Sequence, residues 1–143
     1  MAPSHVLVPL DGSPLADEAL AEALDLFDCR ITVLNVVTPI DAGMIEGGVL
    51  DGDEDRRRAA RDRADRLVDR ALERAADADR EIETAVQTGD PAETIIEYVA
   101  DRDVDHVVMG GHSGERGTIA RRLLGTVATS VVGKAPVTVT VVR

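Results

Sequence analysis

Five short runs of β-branched and apolar residues alternate with four stretches of helical periodicity, and this alternation limits the possible folds more than any other feature. The runs are His5 to Leu10, Ile31 to Val37, Glu81 to Gln87, Val104 to Met109 and Val137 to Val142. Ile31 to Val37 is almost continuously apolar, as expected of a strand buried on both faces. Glu81 to Gln87 alternates polar and apolar residues, which predicts a half-buried strand near an edge. Ala16, Ala19, Leu20, Ala23, Leu24 and Phe27 recur at helical spacing and predict a first helix over 14–27. Ser13 suits its N-cap, and Pro14 suits the first helical position, where a missing N–H costs nothing.

The second helical stretch, 53–78, carries a stripe of Ala60, Ala64, Leu67, Val68, Ala71, Leu72 and Ala75. Its polar face holds Asp62 and Arg66 at i,i+4 spacing. Arg56-Arg57-Arg58, beside Asp53, Glu54 and Asp55, reads as a solvated helix start rather than an anion patch. Gly89-Asp90-Pro91 opens a short third helix over 91–101, with Ile95, Ile96 and Val99 inward. A fourth spans about Ile119 to Lys134, and Pro136 opens the last strand. Residues 38–52, with four glycines, read as a long mobile loop.

Strands and helices in strict alternation, without repeats, predict a single α/β domain over residues 1–143. It is an open, twisted, parallel five-stranded sheet with right-handed crossovers and helices on both faces. In such sheets ligands sit beyond the carboxyl ends of the strands, where strand order reverses. Two segments suit that place: Pro9-Leu10-Asp11-Gly12-Ser13, and Met109-Gly110-Gly111-His112-Ser113-Gly114-Glu115-Arg116-Gly117.

The glycines of the second segment let backbone amides approach an anion without Cβ interference. Gly125 would weaken a helix interior by about 1 kcal/mol. Either a helix begins there with free N-terminal amides, or a ligand approaches closely; Thr126 would add a hydroxyl. A packing glycine in a surface loop is the plain alternative. The loop is neither a Walker A motif nor the dinucleotide fingerprint. Asp11 can accept hydrogen bonds from a ribose or an adenine amino group, and can also cap the first helix. No nucleophile accompanies His112, so nothing marks it as a catalytic base. His5 and His106 lie in strands without ligand spacing, which predicts no metal site. Arg116, Arg121 and Arg122 can reach phosphate oxygens, though plain surface charge explains each equally well.

Composition bounds the partners. With 27 acidic and 16 basic residues the net charge is −11, and there is no concentration of positive charge for nucleic acid or an anionic membrane. One Phe, one Tyr and no Trp leave little for base stacking. Of the basic residues only Lys134 is lysine, and 17 of the acidic ones are Asp. This balance suits a halophilic protein working in concentrated salt, where self-repulsion is screened. Cys29 stands alone, so the default compartment is a reducing cytosol and the thiol reads as a small buried hydrophobe. No signal peptide is legible, and no apolar stretch approaches the roughly 18 residues that span a membrane.

Val6-Leu7-Val8-Pro9-Leu10-Asp11-Gly12-Ser13, Leu34-Asn35-Val36-Val37, Val107-Val108-Met109-Gly110-Gly111-His112, Leu123-Leu124-Gly125-Thr126-Val127-Ala128 and Ala135-Pro136-Val137-Thr138-Val139 occur in that order. Together they resemble the universal stress protein family along essentially the whole chain. The resemblance implies a Rossmann-like sheet of order 3-2-1-4-5 and a cytoplasmic stress-response role. It also implies a homodimer through the edge strand Val137 to Val142, with Val137, Val139 and Val141 at the contact. Some members bind ATP through Gly-x2-Gly-x9-Gly-[Ser/Thr]. Carried over, Pro9, Leu10, Asp11 and the backbone of Val36 would meet the adenosine. Met109, Gly110, Gly111, Gly114, Gly125, Thr126 and Val127 would meet ribose and phosphates. ATP is the expected nucleotide, with AMP or ADP as alternatives and room for magnesium on the phosphates. Such a protein is a regulatory module, with slow hydrolysis of ATP at most.

The chain departs from that pattern in spacing. Fourteen residues separate Gly110 from Gly125 where the pattern has twelve, and Gly114 is followed by ten before Gly125 where the pattern has nine. The longer loop motivates an alternative: a family member without nucleotide, acting through protein contacts.

Overall fold

The computed structural model describes residues 2–39, 52–112 and 124–143. The order is β1 (His5–Pro9), α1 (Pro14–Leu26), β2 (Arg30–Val37), α2 (Gly52–Asp77), β3 (Glu83–Thr88), α3 (Pro91–Asp101), β4 (His106–Gly110), α4 (Thr126–Lys134) and β5 (Thr138–Val142). The strands form one sheet in the order β3-β2-β1-β4-β5, with every pairing parallel. The expected α/β, Rossmann-like architecture is therefore present, with strand order reversing between β1 and β4.

Alternation along each central strand divides the core in two. Val6 and Val8 of β1 and Ile31 and Val33 of β2 pack with Ala16, Ala19, Leu20 and Ala23 of α1 and Ala71 of α2. Leu7 and Leu34 point the other way, joining Ile95 and Val99 of α3, Val107 and Met109 of β4, and Ala128 and Val131 of α4. Small side chains let the helices ride close to the sheet. Ala19 and Ala23 are fully buried, and burying apolar surface contributes about 25 cal/mol per Å².

The local signals act as their chemistry requires. The Ser13 hydroxyl accepts from the Ala16 N–H at 3.3 Å and caps α1, and Asp90 accepts from the Glu93 N–H at 3.0 Å and caps α3. Both helices carry proline in the first turn. The open carbonyl end of α1 is closed from outside: Arg80 donates to the carbonyls of Leu24 and Cys29. Asp17 of α1 ties α2 down through Arg74 at 3.5 Å and Arg70 at 3.9 Å. At the amino edge, Asp105 accepts from the Ser4 N–H, the Ser4 hydroxyl and the His5 N–H, and so pins β1 against β4. Burial works to raise the Asp105 carboxyl pKa; those hydrogen bonds outweigh it and hold the carboxyl below its usual range.

Several expectations are corrected. Helix α4 starts at Thr126: Leu124 and Gly125 are not helical, and residues 119–123 lie outside the described residues. Strand β4 starts at His106, two residues later than read, and β3 is shifted to Glu83–Thr88. Leu72 is exposed on α2 instead of belonging to its inner stripe. Among the described residues Asp62 and Arg66 form no ion pair; Arg70 and Arg74 of α2 instead reach across to Asp17 of α1. Cys29 is half-buried at the margin of the α1 core rather than sealed within it. Most of the loop 38–52 lies outside the described residues.

Candidate functional site

Two strands separate at the reversal point, and a cleft opens between them. The β1–β4 ladder covers only Val6 with His106 and Leu7 with Val107. The His5 carbonyl accepts from Asp105 on the β4 side, while the Leu10 N–H donates to Leu34 on the β2 side. Backbone groups alternate sides along a strand, so residue 9 faces β4. Pro9 therefore stands where the ladder has stopped, and its missing N–H breaks no pairing. Past it, Asp11 turns the chain into α1, its Oδ1 accepting from the Ser13 N–H at 2.9 Å. Asp11 thus shapes the turn while Ser13 caps the helix, and the remaining carboxylate oxygen is free of that bond.

The end of β2 presents backbone to the same space. The Leu34 carbonyl bonds Leu10, while the Val37 carbonyl bonds Gly89 beyond β3. Val36 is two residues from Leu34 and one from Val37. Its N–H and C=O therefore face the β1 side, past the point where β1 has turned away. Asn35, 6% exposed, holds that edge by donating from Nδ2 to the Leu10 carbonyl at 2.8 Å.

The far wall is formed where the end of β4, Gly110 to His112, meets Gly125 and the start of α4. The Gly111 N–H donates to the Val142 carbonyl at 2.7 Å, and the Gly125 N–H to the Gly111 carbonyl at 2.6 Å. A Cβ on Gly110 would lie 2.9 Å from the Leu15 carbonyl carbon and 3.0 Å from the Ala16 nitrogen. A Cβ on Gly111 would press on Val141 and the Val142 carbonyl, and one on Gly125 on the His112 Cα at 3.2 Å. Close packing against the α1 backbone thus holds Gly110 to glycine, whatever the site binds, while Gly111 and Gly125 sit in tight but less restrictive contacts. The Gly110 backbone still lines the cleft.

Beyond the Gly111–Gly125 contact, α4 begins with its N-terminus uncapped by a side chain. Gly125 is the N-cap and offers no side-chain cap, unlike Ser13 and Asp90. The first intrahelical bond runs from the Thr129 N–H to the Gly125 carbonyl. The amides of Thr126, Val127 and Ala128 precede it, and all three residues line the cleft. His112 lines it too, and both its ring nitrogens are buried without a hydrogen-bond partner among the described residues.

The cleft has a volume of about 420 Å³, within the range of small-molecule sites. It brings together Pro9, Leu10, Asp11, Val36, Met109, Gly110, Gly111, Gly125, Thr126 and Val127, ten of the eleven residues named from sequence. Gly114, and with it Arg116, Gly117, Arg121 and Arg122, lies outside the described residues.

The universal stress protein family model matches residues 3–143. The chain belongs to the universal stress protein family. Its structure is similar to that of a universal stress protein from Lactobacillus plantarum, with a TM-score of 0.82 and 24% identity, covering 100% of this chain and 99% of that one. It is also similar to a universal stress protein solved in complex with cAMP, with a TM-score of 0.73 and 23% identity, covering 100% and 99%. A third is a family member from Arabidopsis thaliana with AMP bound, with a TM-score of 0.69 and 21% identity, covering 98% and 91%. No curated protein matches the chain.

The sequence reading missed one wall of this universal stress protein's cleft. Ala60, Arg63, Ala64 and Leu67 of α2 close it from the α1 side, and the Leu67 side chain would lie 3.2 Å from a Cβ at Gly12, which holds φ +85°. A usable signal was length. A helix of 26 residues is about 39 Å long, whereas strands of five to eight residues span about 17–26 Å. Since α2 ends near the amino edge, its first turns must overhang the carboxyl edge. Asn35 was missed because a buried Asn in an apolar strand has no sequence pattern of its own.

Proposed function

We propose that this protein is a regulatory module that binds an adenine nucleotide in the cleft between β1 and β4. The carrying observation is the uncapped N-terminus of α4, whose amides of Thr126, Val127 and Ala128 open into that cleft. Free N-terminal amides and the helix dipole make an anion site that needs no lysine. Phosphate seats there, with the Thr126 hydroxyl and the His112 ring, unpartnered among the described residues, beside it. The adenosine lies toward Asp11, which accepts from a ribose hydroxyl or the adenine amino group, and toward the free backbone of Val36. The bound AMP and cAMP of two structural relatives support the ligand class. Among the described residues no group of three metal-ligating side chains stands together, so magnesium would ride on the phosphates.

The setting is cytoplasmic, and the assembly is a homodimer through β5. That strand is a sheet edge whose Val139 and Val141 backbone groups, alternating with those of Val142, face away from β4. Catalysis is no more than slow hydrolysis. Calorimetric titration of the folded protein with ATP and AMP tests this reading at molar salt. Saturable binding, one nucleotide per chain, is expected; absence of binding by either would refute it. The longer stretch between Gly110 and Gly125 supports a second reading, a nucleotide-free interaction protein. Release of AMP, ADP or ATP from heat-denatured protein would exclude that one.

A further inference from the structure

We propose that Arg63 of α2 is the residue by which the cleft reads the charge of its ligand, contacting the anionic portion of a nucleotide from the wall opposite α4. This deepens the nucleotide reading above and rests on it. Three observations carry the assignment. Arg63 is the only cationic side chain among the described residues that line the cleft, and Asp11 is the only carboxylate. Among the described residues it forms no ion pair or hydrogen bond, whereas Arg30, Arg70, Arg74 and Arg80 are engaged.

The third observation lies in the helix sequence. Side chains three and four residues apart are neighbours on a helix surface. Arg56, Arg57, Arg58, Arg61, Arg66, Arg70 and Arg74 each have an Asp or Glu at such a position. Arg63 alone has none: its neighbours are Ala59, Ala60, Arg66 and Leu67. In a chain of net charge −11, one arginine of this helix has been left without a local carboxylate, and it is the one over the cleft. An exposed guanidinium at a cleft rim can swing to a phosphate and bond it through two N–H groups. It would also offset the Asp11 carboxylate, which otherwise opposes entry of an anion.

The test is calorimetric titration of adenosine and of AMP into wild type, Arg63→Ala and Arg66→Ala, with the helical signal of each variant checked first. Arg66→Ala removes the same charge from an exposed site on the same helix. Arg63→Ala is expected to weaken AMP by about tenfold or more while changing adenosine by no more than about twofold, since one charge-assisted contact is lost. Arg66→Ala is expected to bind both as wild type does, and Arg63→Lys to recover part of the AMP affinity. Wild-type AMP affinity in Arg63→Ala, or an equal loss for adenosine and AMP, overturns the assignment and leaves the nucleotide reading standing. A wild-type protein that binds neither ligand overturns both.

Discussion

Gly110 shows how a single missing Cβ can serve packing and a ligand site together. Its α-carbon faces the backbone of α1 at Leu15 and Ala16, so a methyl group there must push the helix off the sheet. Gly110→Ala should cost about 1–3 kcal/mol in denaturant unfolding, in the range of an overpacked core. A wild-type midpoint would show that α1 can yield at this point. Asp11 makes the opposite case. Its carboxylate bonds only one backbone N–H of the α1 turn, so Asp11→Asn should fold normally yet weaken AMP binding by about tenfold, measured by calorimetry. Unchanged affinity would move the ribose and adenine contacts elsewhere.

His106 carries the pH dependence at this scale. Burial lowers its pKa below 6.5, partly opposed by Asp105, and its Nε2 lies 2.8 Å from the Thr140 hydroxyl. The unfolded chain therefore takes up the proton more readily than the native one. The contribution of His106 to stability is fully present above pH 6.5 and is lost as pH falls through its depressed native value. His106→Gln should flatten the stability profile between pH 6.5 and that depressed native value. Equal slopes for the two proteins in thermal melts would contradict it.

At the scale of elements, the termini of helices explain what the sequence could and could not show. Ser13-Pro14 and Asp90-Pro91 start α1 and α3 as read, because a cap and a proline are local chemistry. The start of α4 differs from the sequence reading because apolar spacing continues back through Leu123 and Leu124, whereas Gly125 is extended and its N–H bonds the Gly111 carbonyl, a contact between segments that periodicity does not register. The residues of α2 that form the cleft wall could not be picked out for a related reason, although the helix's length implied an overhang. Alanines at 60 and 64 look the same whether they face the sheet or a ligand.

The β5 edge also gains a cleaner test. Val139 packs its side chain on the α3–α4 core, so a charge there would damage the fold as well as a partner contact. Its backbone N–H instead points away from β4. Val139→Pro should therefore keep the fold and abolish edge pairing, giving a monomer by light scattering. A folded dimer in that variant would place the interface elsewhere.

For the whole molecule, the alternation of strands and helices was legible because it is set by periodicity. The order 3-2-1-4-5 came with the family resemblance and agrees with the observed sheet. The charge of −11 describes the surface and says nothing of the cleft, whose lining among the described residues holds one arginine, Arg63, and the first residues of α4. That surface should make stability salt-dependent. Melting temperature should rise steadily from about 0.1 M to molar salt as self-repulsion is screened. A flat or falling curve would count against a halophilic design.

The central claim is that an adenine nucleotide sets its phosphate on the open end of α4. Backbone amide spectra of labelled protein, recorded as AMP is added, test it most directly. The account predicts that the largest shifts fall on the amides of Thr126, Val127 and Ala128, saturating at one nucleotide per chain. Saturable shifts confined to other elements, or no shifts in a folded protein, would contradict it.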